Sequence, residues 1–372
     1  MKLTIERSTL LKALAHVQSV VERRNTIPIL SNVLLDAQKS RLLLTATDMD
    51  IAIVEGVEAD VARAGAVTVP AHTLYDIVRK LAEGSQVVIE AIAEKGQVAL
   101  RAGRSSFALA SLPPGDFPHM TGGELPHRFE LAAAELKGLI DKTRFAISTE
   151  ETRYYLNGIY LHAGQSSGIG VLRAVATDGH RLARVEMALP SGADTIPGVI
   201  LPRKTVIELH KLISETDASV EVTLSEARVC FALGTVTLTS KLIDGTFPDY
   251  ERVIPAGNDK VLEVDRIEFT SAVDRVATIS TDKSRAVKLS LGKNQLTLSA
   301  SSPDAGAAEE EIAVRYAGPS IEIGFNARYL LDIAEQIEGE GVRFRLADAA
   351  APTLVEDIAD QSALYVLMPM RV

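Results

Sequence analysis

Asp178, His180 and Arg181 lie together in VATDGHRLA, and an aspartate two residues from a histidine can serve acid–base chemistry or begin a metal site. A second acidic phrase, Asp48–Met49–Asp50, holds the corresponding place near the start of the chain. Catalysis needs more than such a pair, either an activated nucleophile or a third ligand, and neither accompanies Asp178 and His180. One reading is a hydrolase or metal enzyme centred on these two residues. No G-x-x-x-x-G-K-[ST] phrase occurs, so no nucleotide phosphate loop is expected, and no cofactor is.

Other groups suit binding better than bond-making. Arg153–Tyr154–Tyr155 joins a cation to aromatic rings, a composition that stacks bases or grips a phosphate backbone. Read as strand, its tyrosines point to opposite faces, one to core and one to surface. Arg203–Lys204 opens a predicted helix with Lys211 two turns on, and Arg23–Arg24 follows another, where cations also suit the helix dipole. The terminal Met368–Pro369–Met370 phrase is apolar, and chain ends fray unless docked, so it reads first as a terminal strand seated in a core. Cys230, the single cysteine, reads as a buried inert thiol in a strand and excludes an intrachain disulfide.

The elements that position these residues recur three times. A helix opens each third, through Leu10–Leu14–Val17, Leu136–Leu139–Ile140–Thr143 and Phe269–Val273–Val276–Ile279. A second helix lies mid-way, through Leu74–Ile77–Val78–Leu81, Val206–Leu209–Leu212–Ile213 and Leu330–Ile333–Ala334–Ile337. Strand-like segments fill the rest, including LTATDMDIAIVEG and LRAVATDGHRLARVE. Pro/Gly-rich joints at 112–126 and 243–259, each holding Phe–Pro (Phe117–Pro118 and Phe247–Pro248), mark the boundaries. The expected class is α+β, with three similar domains at 1–122, 127–254 and 258–372, each of two helices plus antiparallel sheets.

At 372 residues the chain is long enough for three cores. Its net charge of −10 argues against a simple basic patch, although screening lets a local basic surface coexist with an acidic exterior. Glu6 and Arg7 interrupt any signal peptide, and no run of apolar residues is long enough to span a bilayer; the expectation is a cytoplasmic protein with no membrane partner. Head-to-tail units with open sheet edges either close or polymerise. Three domains of about 120 residues, each roughly 35 Å across, would enclose only about 5 Å. Six would enclose roughly 35 Å, enough for a hydrated duplex.

Seven phrases in order, TIPILSN (26–32), TRYYLNG (152–158), VATDGHRLA (175–183), LPRK (201–204), SKLIDGTFPDY (240–250), IGFNARY (323–329) and YVLMPMRV (365–372), make the chain resemble bacterial sliding clamps, the beta subunits of replicative DNA polymerase. The resemblance covers the whole length. It implies a head-to-tail homodimeric ring of six domains, helices inside, acting as a non-catalytic processivity factor around duplex DNA of any sequence. Arg24, Arg153, Tyr154, Tyr155, Arg203 and Lys204 would then touch DNA. A cleft between the second and third domains would take short linear motifs of the replicative polymerase, the clamp loader, other polymerases and repair proteins. Its walls would be Leu156, Thr177, Gly179, His180, Arg181, Leu182, Pro248, Arg252, Val253, Asn326, Tyr329, Val366, Leu367, Met368, Pro369, Met370 and Arg371. Arg104, Phe107, Leu109, Thr278 and Ile279 would lie at the dimer seam, where the acidic run Glu309–Glu310–Glu311 adds complementary charge. Glu150 stands where an uncharged polar residue is expected in the family, and Ser284 where many members carry phenylalanine.

Overall fold

The structure, a computed structural model, describes residues 1–92, 95–120, 123–280 and 285–371. All six expected helices form: α1 (Arg7–Gln18), α2 (Ala71–Lys80), α3 (Ala133–Arg144), α4 (Arg203–Ile213), α5 (Arg266–Ala277) and α6 (Ala327–Ala334). Their apolar stripes are buried, including Leu10, Leu14 and Val17 on α1 and Phe269, Val273 and Val276 on α5. Such side chains each contribute about 1.5–3 kcal/mol on burial. Leu81, Ile279 and Ile337 fall just beyond the ends of their helices.

The threefold repeat extends to single hydrogen bonds. The first residue of α1, α3 and α5 donates its amide to an equivalent loop carbonyl in each case: Arg7 to Ser85 (2.9 Å), Ala133 to Ala218 (3.1 Å) and Arg266 to Glu340 (2.8 Å). These amides belong to the first turn, which has no intrahelical partner to offer them. Glu6 and Asp265 satisfy further amides as N-caps of α1 and α5.

Two compact units result. The first comprises 1–136, 190–196 and 207–242, the second 137–189, 197–206 and 243–372. In the first, α1 packs on α2. A five-stranded sheet there has the order Asp60–Arg63, Lys2–Glu6, Gln86–Ile92, Gln97–Ala102, Ser105–Ala110. An eight-stranded sheet runs His127–Ala132, Ser219–Leu224, Arg228–Leu233, Val236–Lys241, Ile51–Glu58, Arg41–Thr47, Asn32–Gln38, Gly65–Pro70. In the second unit α5 packs on α6. Its nine-stranded sheet includes the neighbours Ile169–Thr177, Arg181–Ala188, Ala363–Leu367 and Thr353–Asp357, and its four-stranded sheet ends on Gly306–Ala313. The named pairings in all four sheets are antiparallel, for example Ala183 opposite Tyr365.

Three expectations are corrected. LTATDMDIAIVEG and LRAVATDGHRLARVE are each two strands joined by a tight turn, Arg41–Thr47 to Ile51–Glu58 and Ile169–Thr177 to Arg181–Ala188. Arg153–Tyr154–Tyr155 lies in a 3-10 segment, Glu151–Leu156, and not in a strand. Cys230 is half-buried, because strand alternation gives the core to Val229 and Phe231 instead.

Candidate peptide-binding cleft

The TDGH and TDMD turns are built alike. Thr177 Oγ1 donates to the Arg181 carbonyl (2.7 Å) and accepts from Gly179 N, while Asp178 Oδ1 accepts from the amides of His180 (2.9 Å) and Arg181 (3.0 Å). Thr47 and Asp48 repeat all four contacts around Met49, Asp50 and Ile51. Aspartate is favoured here because its carboxylate satisfies turn amides. The other Asp178 oxygen pairs with Arg181 Nε at 3.2 Å. That carboxylate is thus occupied in shaping the turn, which removes the physical basis for the enzyme reading. Among the described residues no three His, Cys, Asp or Glu side chains converge to hold a metal.

The turn presents its outer face to a cavity of about 310 Å³ lined by Arg153, Tyr155, Leu156, Thr177, Gly179, His180, Arg181, Leu182, Pro248, Asp249, Tyr250, Val253, Val366 and Met368. Its floor is an apolar cluster of Leu156, Val175, Leu182, Ile200, Phe247, Tyr250, Leu354, Leu364 and Val366. A larger hollow of about 770 Å³ beside strand Lys260–Asp265 shares no residue with any motif. The 310 Å³ cavity joins an apolar floor to a few polar groups, which is the usual form of a recognition site.

Arg181 buttresses the cavity from behind. It is buried, donates to Asp332 and to the Phe145 carbonyl (2.6 Å), and lies 4.3 Å over the ring of Tyr329. His180 is exposed, and its ring stacks on that of Tyr329 at 6.4 Å. Burial raises the Tyr329 and Tyr250 hydroxyl pKa values, so both rings stay neutral near pH 7. Tyr160 stacks on Phe247 at 4.9 Å and supports the Phe–Pro turn that carries Pro248.

Not every expected wall residue faces the cavity. Leu367 alternates with Val366 and turns into the core, fully buried. Asn326 caps α6 by accepting from Arg328 N (2.9 Å). Met370 donates its amide to Gly324 (2.9 Å), Pro369 is half-buried between the two methionines, and Arg371 lines a separate hollow with Lys288 and Glu322. Arg252 pairs with Asp249 at 2.7 Å, next to the lining residue Val253. Ser284 lies outside the described residues. In the other direction, Arg153 and Tyr155, expected at DNA, stand on the cavity wall, while Tyr154 is exposed. The expectation missed Asp249 and Tyr250, although both adjoin the Phe247–Pro248 phrase that signalled a structured turn.

Arg24 and Arg203 are exposed and make no side-chain ion pair among the described residues. Lys204 is half-buried on the first turn of α4, whose first amide, that of Arg203, donates to Asn157 (3.0 Å). Phe107 and Leu109 lie on Ser105–Ala110, an outermost strand, with Arg104 at the adjoining hairpin tip. Thr278 is the C-cap of α5, and Ile279 follows it.

Three descriptions match successive stretches: DNA polymerase III beta subunit N-terminal domain (1–121), central domain (130–249) and C-terminal domain (251–371). The chain belongs to the DNA polymerase III beta subunit family. It is 55% identical over 372 residues to the beta sliding clamp of Caulobacter vibrioides and 40% identical over 376 residues to that of Escherichia coli, with each pair covered in full. Its structure also matches a sliding clamp from Bartonella birtlesii bound to griselimycin, with a TM-score of 0.97 at 53% identity and full coverage of both chains. The fold is therefore that of the clamp, three domains of helix pairs and antiparallel sheets.

Proposed function

We propose that the chain is a processivity factor: a homodimeric ring that surrounds duplex DNA, slides on it, and tethers a polymerase through the cleft. An incomplete series of strand seams carries the ring. Ile51–Glu58 pairs with Val236–Lys241, Ile53 opposite Leu238, and Arg181–Ala188 pairs with Ala363–Leu367. Gly306–Ala313 holds the place of Ile51–Glu58 and Arg181–Ala188 in the third repeat, and Ser105–Ala110 that of Val236–Lys241 and Ala363–Leu367 in the first. Both are outermost strands of their sheets, each with a row of unpaired amides and carbonyls. Two such seams between two copies close a ring, because each copy offers one edge of each kind.

The proposed domains run 1–122, 127–254 and 258–372, broken at the Pro/Gly joints. Arg24, Arg153, Tyr154, Tyr155, Arg203 and Lys204 are the proposed DNA contacts. Few contacts suit sliding, since each neutralised phosphate holds the protein in place. The cleft, with its apolar floor, is proposed for short linear motifs of the polymerase catalytic subunit, the clamp loader, other polymerases and repair proteins. Tethering raises polymerase concentration at the primer end. Such a protein works in the cytoplasm and needs a separate ATPase to open it.

The test is to load the protein on nicked circular DNA with a clamp-loading ATPase and then linearise the circle. Release through the free ends is expected. Retention on the linear form would contradict a topological link.

A further inference from the structure

Glu150 and Arg153 form a two-pronged ion pair at the rim of the cleft. Arg153 Nε donates to Glu150 Oε2 and Nη2 approaches Oε1, both at 2.8 Å, while Nη2 also donates to the Asp178 carbonyl at 3.0 Å. A kink in the backbone at Arg153 divides the 3-10 segment and aims this side chain across the TDGH turn. Nη1 has no hydrogen-bond acceptor among the described residues. It lies over Gly179, where an added Cβ would come within 2.5 Å of this movable guanidinium nitrogen; the backbone φ of +88° is what favours glycine at this position. Arg153, Gly179 and His180 all line the cavity. The hydrogen bond from Arg153 holds the Glu150 carboxyl below its usual pKa, and nearby His180 adds to this.

The remaining charged groups around this rim are committed to one another. Asp178 and Asp332 share Arg181, and Asp249 holds Arg252. Of the two arginines that line the cavity, Arg181 is buried among its partners, whereas Arg153 is partly exposed and keeps Nη1 without an acceptor among the described residues; Glu150 is the anion that cancels its charge. Both side chains are partly exposed, at 33% and 53%, so water screens the pair and a competing carboxylate can exchange with it. An arginine fork prefers two carboxylate oxygens, and Glu150 already supplies them.

We propose that Glu150 is a specificity-determining residue: it competes internally for Arg153 and suppresses a preference of the cleft for peptides with an acidic residue at that rim. This rests on the peptide-cleft reading above. Discrimination comes from the repulsive partner as much as from the attractive one. A purely structural Glu150, one that only holds the 3-10 turn, would affect all peptides equally.

The test uses the full-length protein and fluorescein-labelled hexapeptides that share the sequence Ser-Leu-Val-Leu-Phe and carry Glu, Gln or Lys at either the amino or the carboxyl end. Binding is read by anisotropy at low salt. Glu150→Gln is expected to raise affinity for the Glu peptide relative to the Lys peptide by about fivefold at one end, the scale of an exposed charge pair. Adding Arg153→Ala should return that ratio to the wild-type value, as should high salt. An unchanged Glu-to-Lys ratio in Glu150→Gln, with all peptides shifted together, overturns the proposal and leaves the cleft reading intact. Failure of every peptide to bind the wild type overturns the cleft reading and the proposal with it.

Discussion

The guanidinium of Arg181 lies 4.3 Å above the ring of Tyr329 while its nitrogens reach Asp178, Asp332 and the Phe145 carbonyl. One buried side chain thus ties a hairpin turn to α6 and to the segment after α3. Arg181→Ala leaves Asp178 and Asp332 without their shared cation, at a cost of about 3 kcal/mol, typical for breaking a buried pair. Arg181→Lys should recover less than half of this, since an ammonium cannot fork to all three acceptors. Urea unfolding followed by far-UV circular dichroism is the measurement, as the chain has no tryptophan. An unfolding midpoint equal to wild type in Arg181→Ala would remove the buttress from the account.

His16 carries a pH dependence. Burial pulls its pKa down, but Glu55 at 2.7 Å and Glu215 at 3.1 Å outweigh burial, and the net shift is upward. Lys12, 3.6 Å from Glu215, competes for that carboxylate. A pKa raised by folding contributes stability that is complete below the unfolded value of about 6.5 and is lost as pH rises through the folded value. Melting temperature is thus expected to fall as pH climbs above about 6.5, with a shallower fall in His16→Gln. Parallel curves for the two proteins would show that the ion cluster does not drive the effect.

If Arg24 and Arg203 touch phosphates, the salt dependence of DNA binding reports each contact. Every lost B-DNA phosphate contact should flatten the slope of log K against log salt by about 0.9. Arg24→Ala and Arg203→Ala, measured singly on short duplexes, are each expected to do so. Slopes identical to wild type would assign these exposed guanidinium groups to solvent.

The proposed seam predicts a mass change. Phe107 is half-buried on an outermost strand, so Phe107→Arg should leave the sheet folded yet place charge in the joint. Light scattering should then give the mass of one 39.9 kDa chain where the wild type gives two. A variant that keeps the wild-type mass would place the joint elsewhere.

The helices were legible because their apolar periodicity is local: Leu10, Leu14 and Val17 share one face whatever surrounds them. The turns were less so. In LTATDMDIAIVEG β-rich residues flank Asp48–Met49–Asp50 on both sides, and Thr47 and Asp48 bonding to the backbone turns the chain between them. The same chemistry at Thr177 and Asp178 made a turn look like a catalytic pair. That Arg153 and Tyr155 line the cavity was not legible, because residue type does not reveal direction; for Arg153 a backbone kink and a partner at Glu150 set it.

Residue order alone thus established three repeated modules, their helix pairs and the family, and it named most of the residues that line the cavity, since periodicity and motif are properties of neighbours along the chain. Side-chain direction needed the fold: Val366 faces the cavity and Leu367 the core, and Arg153 turns toward the cleft, because each depends on strand register and on partners distant in sequence. Whether an acidic residue serves as a base, a turn former or a competitor is decided by which donors surround it, and for Asp178 and Glu150 folding brings those donors together.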